Sequence, residues 1–296
     1  MRQNGTNGVT PNRRIVLGGG LSAVLWRLGA RGRAEVSAPA AQGVLDFEAA
    51  VARLQLGPAA AEPAAAYAYA GAIPGPLIRL RQGEELRLKF TNKRIEPTTL
   101  SFPGLRAANA AAGIGGLTQD RLKPGASAEI RLVPPDSGFN LYLPHAGLTD
   151  ASQQGRGLFG PIIVDEPKAS GADLDAAVVL SEWNVDASGE IKDDFADSAL
   201  SRGSGRRGDV VFANSATAPL KLKARPGARV RLRLGSAATA RLSTVAMRGA
   251  KIRIVAVDGQ PGEPFEPLNN QFPMGPGARF ELMFDMPLNQ IGRAHV

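Results

Sequence analysis

From Arg79 to Phe90 the chain reads RLRQGEELRLKF, a glycine-centred turn followed by Leu86, Leu88 and Phe90 alternating with Arg87 and Lys89. A spacing of two places alternate side chains on one face of an extended strand, so the stretch predicts a turn at Gly83 and a half-buried strand after it. Lys223–Leu234, KARPGARVRLRL, repeats the pattern: Val230, Leu232 and Leu234 alternate with Arg231 and Arg233. The two turn glycines, Gly83 and Gly227, are 144 residues apart. A second pair follows. LKPGASAEIRL (Leu122–Leu132) and MGPGARFELMF (Met274–Phe284) each set Pro-Gly before a period-two strand, with Gly125 and Gly277 152 residues apart. Two matched pairs at nearly one offset predict a duplicated all-β domain built as a sandwich or barrel.

The break between copies is expected near DEPKASGADLD, Asp165–Asp175, where polar and small residues follow the apolar run Gly160–Val164. KDDFADSALSRGSGRRGDV (Lys192–Val210) reads as a long solvated loop within the second copy. Its Asp193, Asp194 and Asp197 lack the spacing of a calcium-binding loop. GGG at 18–20 and GIGG at 113–116 are read as leader and turn, since neither opens a helix of the kind that cradles phosphate.

Charge changes the picture mainly at the start of the chain. The formal net charge is +8, but residues 1–40 hold six arginines against Glu35 alone, leaving 29 basic and 26 acidic residues downstream. That near balance, with aromatics at 5%, gives no support to nucleic-acid binding. NRRIVLGGGLSAVLW pairs Arg13 and Arg14 with an apolar run too short to span a bilayer, which takes about 20 apolar residues. It resembles a twin-arginine export signal, with Val16 where that motif has Phe and a small-residue cleavage site at Ala38-Pro39-Ala40. The expected division is a signal peptide at 1–40, domain 1 at 41–168, domain 2 at 169–290 and a non-native tail at 291–296. IGRAHV reads like a translated sequencing adapter, which would leave His295 without biological meaning. No integral membrane segment is expected in the mature form, and the location expected is periplasmic or otherwise exported.

There is no cysteine, so neither a disulfide nor a thiolate metal site is available to this chain. One histidine stands out: His145, which closes NLYLPHAG.

Several segments, in order, resemble the multicopper oxidases, laccase-like enzymes built from cupredoxin domains. IPGPLIRLRQGEELRLKFTN, EPTTLSFPGLRAANA, GLTQDRLKPG, PPDSGFNLYLPH and GRGLFGPIIVDEP are similar to the first domain of that family. VLSEWNVDASGEI, ARPGARVRLRL and IRIVAVDGQPGEPFEP are similar to the second. The resemblance implies two cupredoxin-like (plastocyanin-like) Greek-key β-sandwich domains, all-β, after the export signal. It also implies copper: a type 1 site taking electrons from a reducing substrate, and a three-copper cluster passing four electrons to O2.

The first domain of the family supplies two His-x-His pairs to that cluster. Here the first pair falls on Ser101 and Pro103 and the second on Leu143 and His145, so His145 alone keeps an imidazole. The acid that the family places before the glycine of a nearby loop falls on Ala112, ahead of Gly113. The type 1 site needs a Cys thiolate and belongs to a third domain in the family. No cofactor is expected in this chain, copper being the family's, and no catalytic residue is named. Two readings of His145 stand beside each other: a structural imidazole hydrogen-bonded near the domain interface, or a weak incidental metal ligand.

The expected function is that of a non-catalytic, copper-free binding or scaffold homologue with an eroded trinuclear site and an unidentified periplasmic protein partner. The alternative is a truncated copper-dependent oxidoreductase acting on phenols or metal ions, its blue copper lying in a third domain. A serine hydrolase is disfavoured, because Ser101 has no G-x-S-x-G context.

Overall fold

The computed structural model describes residues 44–56, 62–197, 200, 202–214 and 220–288, with the backbone of three further strands at Arg13–Gly18 (β1), Glu35–Ser37 (β2) and Arg293–His295 (β19). The expected cleavage site at 38–40 lies outside the described residues, as do Ile291, Gly292 and Val296 of the expected tail.

Domain 1 holds β3 (Leu45–Leu54), β4 (Ala64–Tyr69), β5 (Leu77–Arg81), β6 (Leu86–Asn92), β7 (Ser127–Leu132), β8 (Gly138–Tyr142) and β9 (Gly160–Asp165), with one short helix, α1 (Asp150–Gly155). One sheet runs β4-β3-β6-β7 and the other β2-β5-β9-β8. The alternation read in β6 is realised: Leu86, Leu88 and Phe90 are buried, and Arg87 and Lys89 point away. They pack with Phe47, Tyr69, Ile78, Tyr142, Ile162 and Val164 into the core between the sheets.

Domain 2 holds β10 (Leu174–Trp183), β11 (Val210–Ala213), β12 (Leu220–Ala224), β13 (Arg229–Ser236), β14 (Ser243–Arg248), β15 (Arg253–Val257), β16 (Gln260–Phe265), β17 (Gln271–Met274) and β18 (Arg279–Asp285). Its sheets run β11-β10-β13-β18-β15-β16 and β12-β1-β19-β14-β17. Val230, Leu232, Leu234, Leu282 and Phe284 close on Val245, Met247, Phe272 and Met274 across the sandwich.

The duplication extends to the backbone. Gly83, Gly125, Gly227 and Gly277 all sit at φ between 73° and 78°, the left-handed region that a side chain disfavours, each turning the chain into a strand. The pairings repeat as well: β3 runs parallel to β6 and antiparallel to β4, and β10 runs parallel to β13 and antiparallel to β11.

The two sandwiches share a third apolar cluster. Phe139, Leu141, Phe159 and Ile163 of domain 1 pack with Val179, Trp183, Phe212 and Ala237 of domain 2. The segment read as a solvated loop takes part in this junction, which corrects that expectation. Arg206 is buried, stacks 3.8 Å over the Phe195 ring and pairs with Asp194. Arg156, just past α1, pairs with Asp193 at 2.7 Å and lies 5.0 Å from the same ring. Polar composition marked the segment as loop; the ring at its centre ties it to domain 1.

Candidate functional site

Two of the four positions where the resemblance places imidazoles, Ser101 and Leu143, pair directly at one end of domain 1, and Pro103 and His145 follow each of them by two residues. Leu143 continues β8, and Ser101 ends a short extended stretch opposite it. Their backbones pair in both directions, Ser101 N to Leu143 O at 2.8 Å and Leu143 N to Ser101 O at 3.0 Å. The buried Ser101 hydroxyl points inward and donates to the same Leu143 carbonyl at 2.9 Å. Two residues on, Thr99 Oγ1 accepts the backbone N–H of His145 at 2.8 Å, and the His145 carbonyl accepts from Gly115 N at 2.8 Å. Asp150 at the start of α1 accepts from the backbone N–H groups of Ala146 and Gly147, fixing the turn beyond.

The His145 ring itself is exposed, and the hydrogen bonds found at this residue are made by its main chain. The reading of His145 as a hydrogen-bonded structural imidazole is therefore corrected: Thr99 and Gly115 anchor the backbone and leave the ring in solvent. Leu143 and Pro103 are half-buried.

The loop of Ala112 runs beside the Ser101 stretch. Gly113 takes φ 73°, and a Cβ there would collide with the Leu100 carbonyl, so the loop is pressed against the backbone leading into Ser101. Ala112 brings only a methyl to that place. Beyond it, Gly116 and Gly147 both lie against the Arg121 side chain, and the leucines that follow them, Leu117 and Leu148, are exposed. Among the described residues no three His, Cys, Asp or Glu side chains are grouped so as to hold a metal ion.

A second constellation went unread in the sequence. Arg231 and Arg233 alternate with the core residues of β13, yet they face domain 1 rather than water. Arg233 is 0% exposed; it grips Asp175 through two nitrogens at 2.7 and 2.8 Å and reaches Glu281 at 3.0 Å. Arg231 binds Glu281 at 2.7 Å and clasps both carboxylate oxygens of Glu166, on the connection between domains. Arg79 of β5 forks onto Asp165 at 2.8 Å and reaches Asp175 at 3.0 Å. The remaining oxygen of Glu281 accepts the backbone N–H of Phe139 on β8 at 3.0 Å.

Burial alone would push Asp175 and Glu166 up. The hydrogen bonds and charges of the arginines outweigh it and hold both carboxyls below their ordinary range. A cleft of about 700 Å³ opens above, lined by Arg79, Arg81, Asp165, Glu166, Asp175 and Arg231, with Arg79 and Arg231 already paired. A strand with arginine at alternate positions, plus an acid in FELMF, was the only signal in the sequence for this network.

Comparison with known proteins settles the lineage. A sequence profile described as Multicopper oxidase matches residues 50–169, and a second with the same description matches 175–292. The chain belongs to the multicopper oxidase family. It is 29% identical over 227 residues to multicopper oxidase MmcO of Mycobacterium tuberculosis, covering 67% of this chain and 44% of that protein. Among solved structures, a multi-copper oxidase from Pseudomonas thermotolerans superposes with TM-score 0.75 at 31% identity, covering 86% of this chain and 59% of the other. Lac15 from a marine microbial metagenome gives TM-score 0.70 at 29% identity, covering 83% and 61%. The chain thus spans less than two thirds of each of these relatives. Among the described residues, no helix is long and apolar enough to cross a membrane.

Proposed function

We propose that this polypeptide is an exported, copper-free member of the multicopper oxidase family that acts as a binding or scaffold protein rather than an oxidase. The observation that carries the reading is the Ser101–Leu143 pair. A copper-cluster frame needs imidazoles at these positions, because copper(II) prefers nitrogen ligands. Here one position carries a hydroxyl already donating to a carbonyl, two carry hydrocarbon side chains, and only His145 offers a nitrogen. These residues do not fit half of a three-copper cluster, and no electron-transfer step is assigned to them.

Export is inferred from the paired arginines and the apolar run after them. The partner is expected to be a periplasmic protein. The exposed His145, Leu117 and Leu148, brought to one end of domain 1, support a contact face there. The test is copper retention: the 296-residue protein, incubated with copper(II) and dialysed, should keep well under one copper per chain by elemental analysis. Retention of two or three would overturn the reading.

A second reading rests on length. The chain covers 44% of MmcO, so a longer form of the polypeptide has room for a blue copper site and for oxidation of phenols or metal ions. A longer product with an intense blue absorption band would favour it.

A further inference from the structure

Arg231 and Met283 stand directly opposite each other in the ladder of β13 with β18, so their side chains rise from one face of the sheet, the face turned away from the domain 2 core. Glu281, two residues before Met283, rises from that face as well. Beside them β15 carries a bulge between Ile254 and Ala256, and Val255 is its extra residue. Together with Pro261 and Gly138 these residues line a hollow of about 310 Å³. Small-molecule sites have volumes of this order and set a few placed polar groups in an apolar wall.

The polar end of the hollow is already filled by a carboxylate of the chain itself. Arg231, 6% exposed, turns Nη1 and Nη2 to the two oxygens of Glu166, Nη1 at 3.0 Å, while its Nε donates to Glu281 at 2.7 Å. A planar fork on two oxygens is the geometry in which arginine recognises any carboxylate. Glu281 is buried and fixed on a strand. Glu166 is neither: its side chain is 31% exposed, and it begins the irregular connection between domains, where residues 167–171 are all exposed. Glu166, Ser170 and Arg231 line both this hollow and the 700 Å³ cleft, so the ion pair is the partition between the two. Arg81 lines the cleft beyond it, exposed and in no ion pair among the described residues, and offers Glu166 a charge on that side.

We propose that the hollow binds a small monocarboxylate with an apolar tail: its carboxylate takes the Arg231 fork from Glu166, and its tail lies on Val255, Pro261 and Met283. One carboxylate replaces another, so the buried arginine is never left with an empty fork, and the tail drives the exchange by covering apolar surface. A neutral ligand with the same tail lacks the charge that the fork requires. Binding releases Glu166 and with it one tether of the connection between the domains.

The test titrates hexanoate into the full 296-residue chain carrying ¹³C-labelled methionine methyl groups, the Met283 signal being assigned with Met283→Leu. Met283 should shift, and Met247 and Met274, inside the domain 2 core, should not. Affinity should rise from butanoate to hexanoate, by up to about fourfold per methylene. Glu166→Ala, which removes the internal competitor, should bind hexanoate at least tenfold more tightly than the unsubstituted chain. Glu166→Gln should move in the same direction and carries the comparison should the alanine variant not fold. A silent Met283 overturns the proposal, as does butanoate or hexan-1-ol binding as tightly as hexanoate, or no gain in either Glu166 variant. Copper retention concerns Ser101, Pro103, Leu143 and His145, so failure here leaves the copper-free reading standing.

Discussion

The Ser101 hydroxyl and the Ser101 amide both donate to one acceptor, the Leu143 carbonyl, at 2.9 and 2.8 Å. The pair is held mainly by main chain, and the hydroxyl adds a second, redundant donor. Ser101→Ala should therefore cost no more than about 1 kcal/mol, the usual net value of one hydrogen bond. Urea denaturation should give a slightly lower midpoint with an unchanged slope.

The same frame makes a gain-of-binding experiment informative. Ser101→His, Pro103→His and Leu143→His together should raise copper retained after dialysis from well under one per chain to at least one. An unchanged copper content with an intact circular dichroism spectrum would mean that the frame no longer aims its side chains at a common point.

Glu281 is the acid on which Arg231 and Arg233 converge, and it also accepts from Phe139 N. Removing one partner of a buried ion pair leaves an uncompensated charge and costs roughly 3–5 kcal/mol. Glu281→Gln should lower the melting temperature by on the order of 10 °C. Glu85→Gln, on a surface pair that is 36–40% exposed, should change it little.

Acid should act on the same network. Asp175 and Glu166 titrate below their unfolded values of 3.8 and 4.5, so the stability they lend is complete above the higher of these. It is lost as pH falls through the depressed native values. Thermal scans should hold steady near neutrality and drop below about pH 4.5. In the Asp175→Asn variant, already destabilised, that acid-side drop should be shallower.

Two glycines with nearly the same φ should respond differently to alanine. Gly83 (φ 78°) faces open space, so Gly83→Ala should cost only the left-handed strain, about 1–2 kcal/mol. At Gly113 (φ 73°) the added methyl also meets the Leu100 carbonyl, so Gly113→Ala should cost clearly more and disturb the Ser101 region. Equal losses in the two variants, measured by denaturant unfolding, would count against this account.

Much of the architecture was legible because strand alternation and turn glycines are local. Gly83 and Gly227 announced the duplicated hairpins, whereas the pairing of Ser101 with Leu143 is a tertiary contact that their flanking residues do not announce. Alternation reports only that Arg231 and Arg233 share a face; it cannot say whether that face meets water or another domain. The acids that neutralise them, Asp175 and Glu281, are 58 and 48 residues away from Arg233 in the chain. Phe195 was overlooked for a related reason: one ring in a polar segment has no periodicity, and its partners Arg156 and Arg206 meet it only in the folded molecule. The exposure of His145 was equally out of reach, since its anchoring by Thr99 is a tertiary contact made through the main chain.

That anchoring has a consequence for how such a chain changes over generations. Thr99 holds the amide of residue 145, Gly115 its carbonyl, and residues 101 and 143 hold each other by peptide groups. The backbone course at 101, 143 and 145 is therefore held by peptide groups, whichever side chains stand there. Once selection for metal relaxes, ligands can drift one at a time without passing through a misfolded ancestor. The same independence leaves the route open in the other direction.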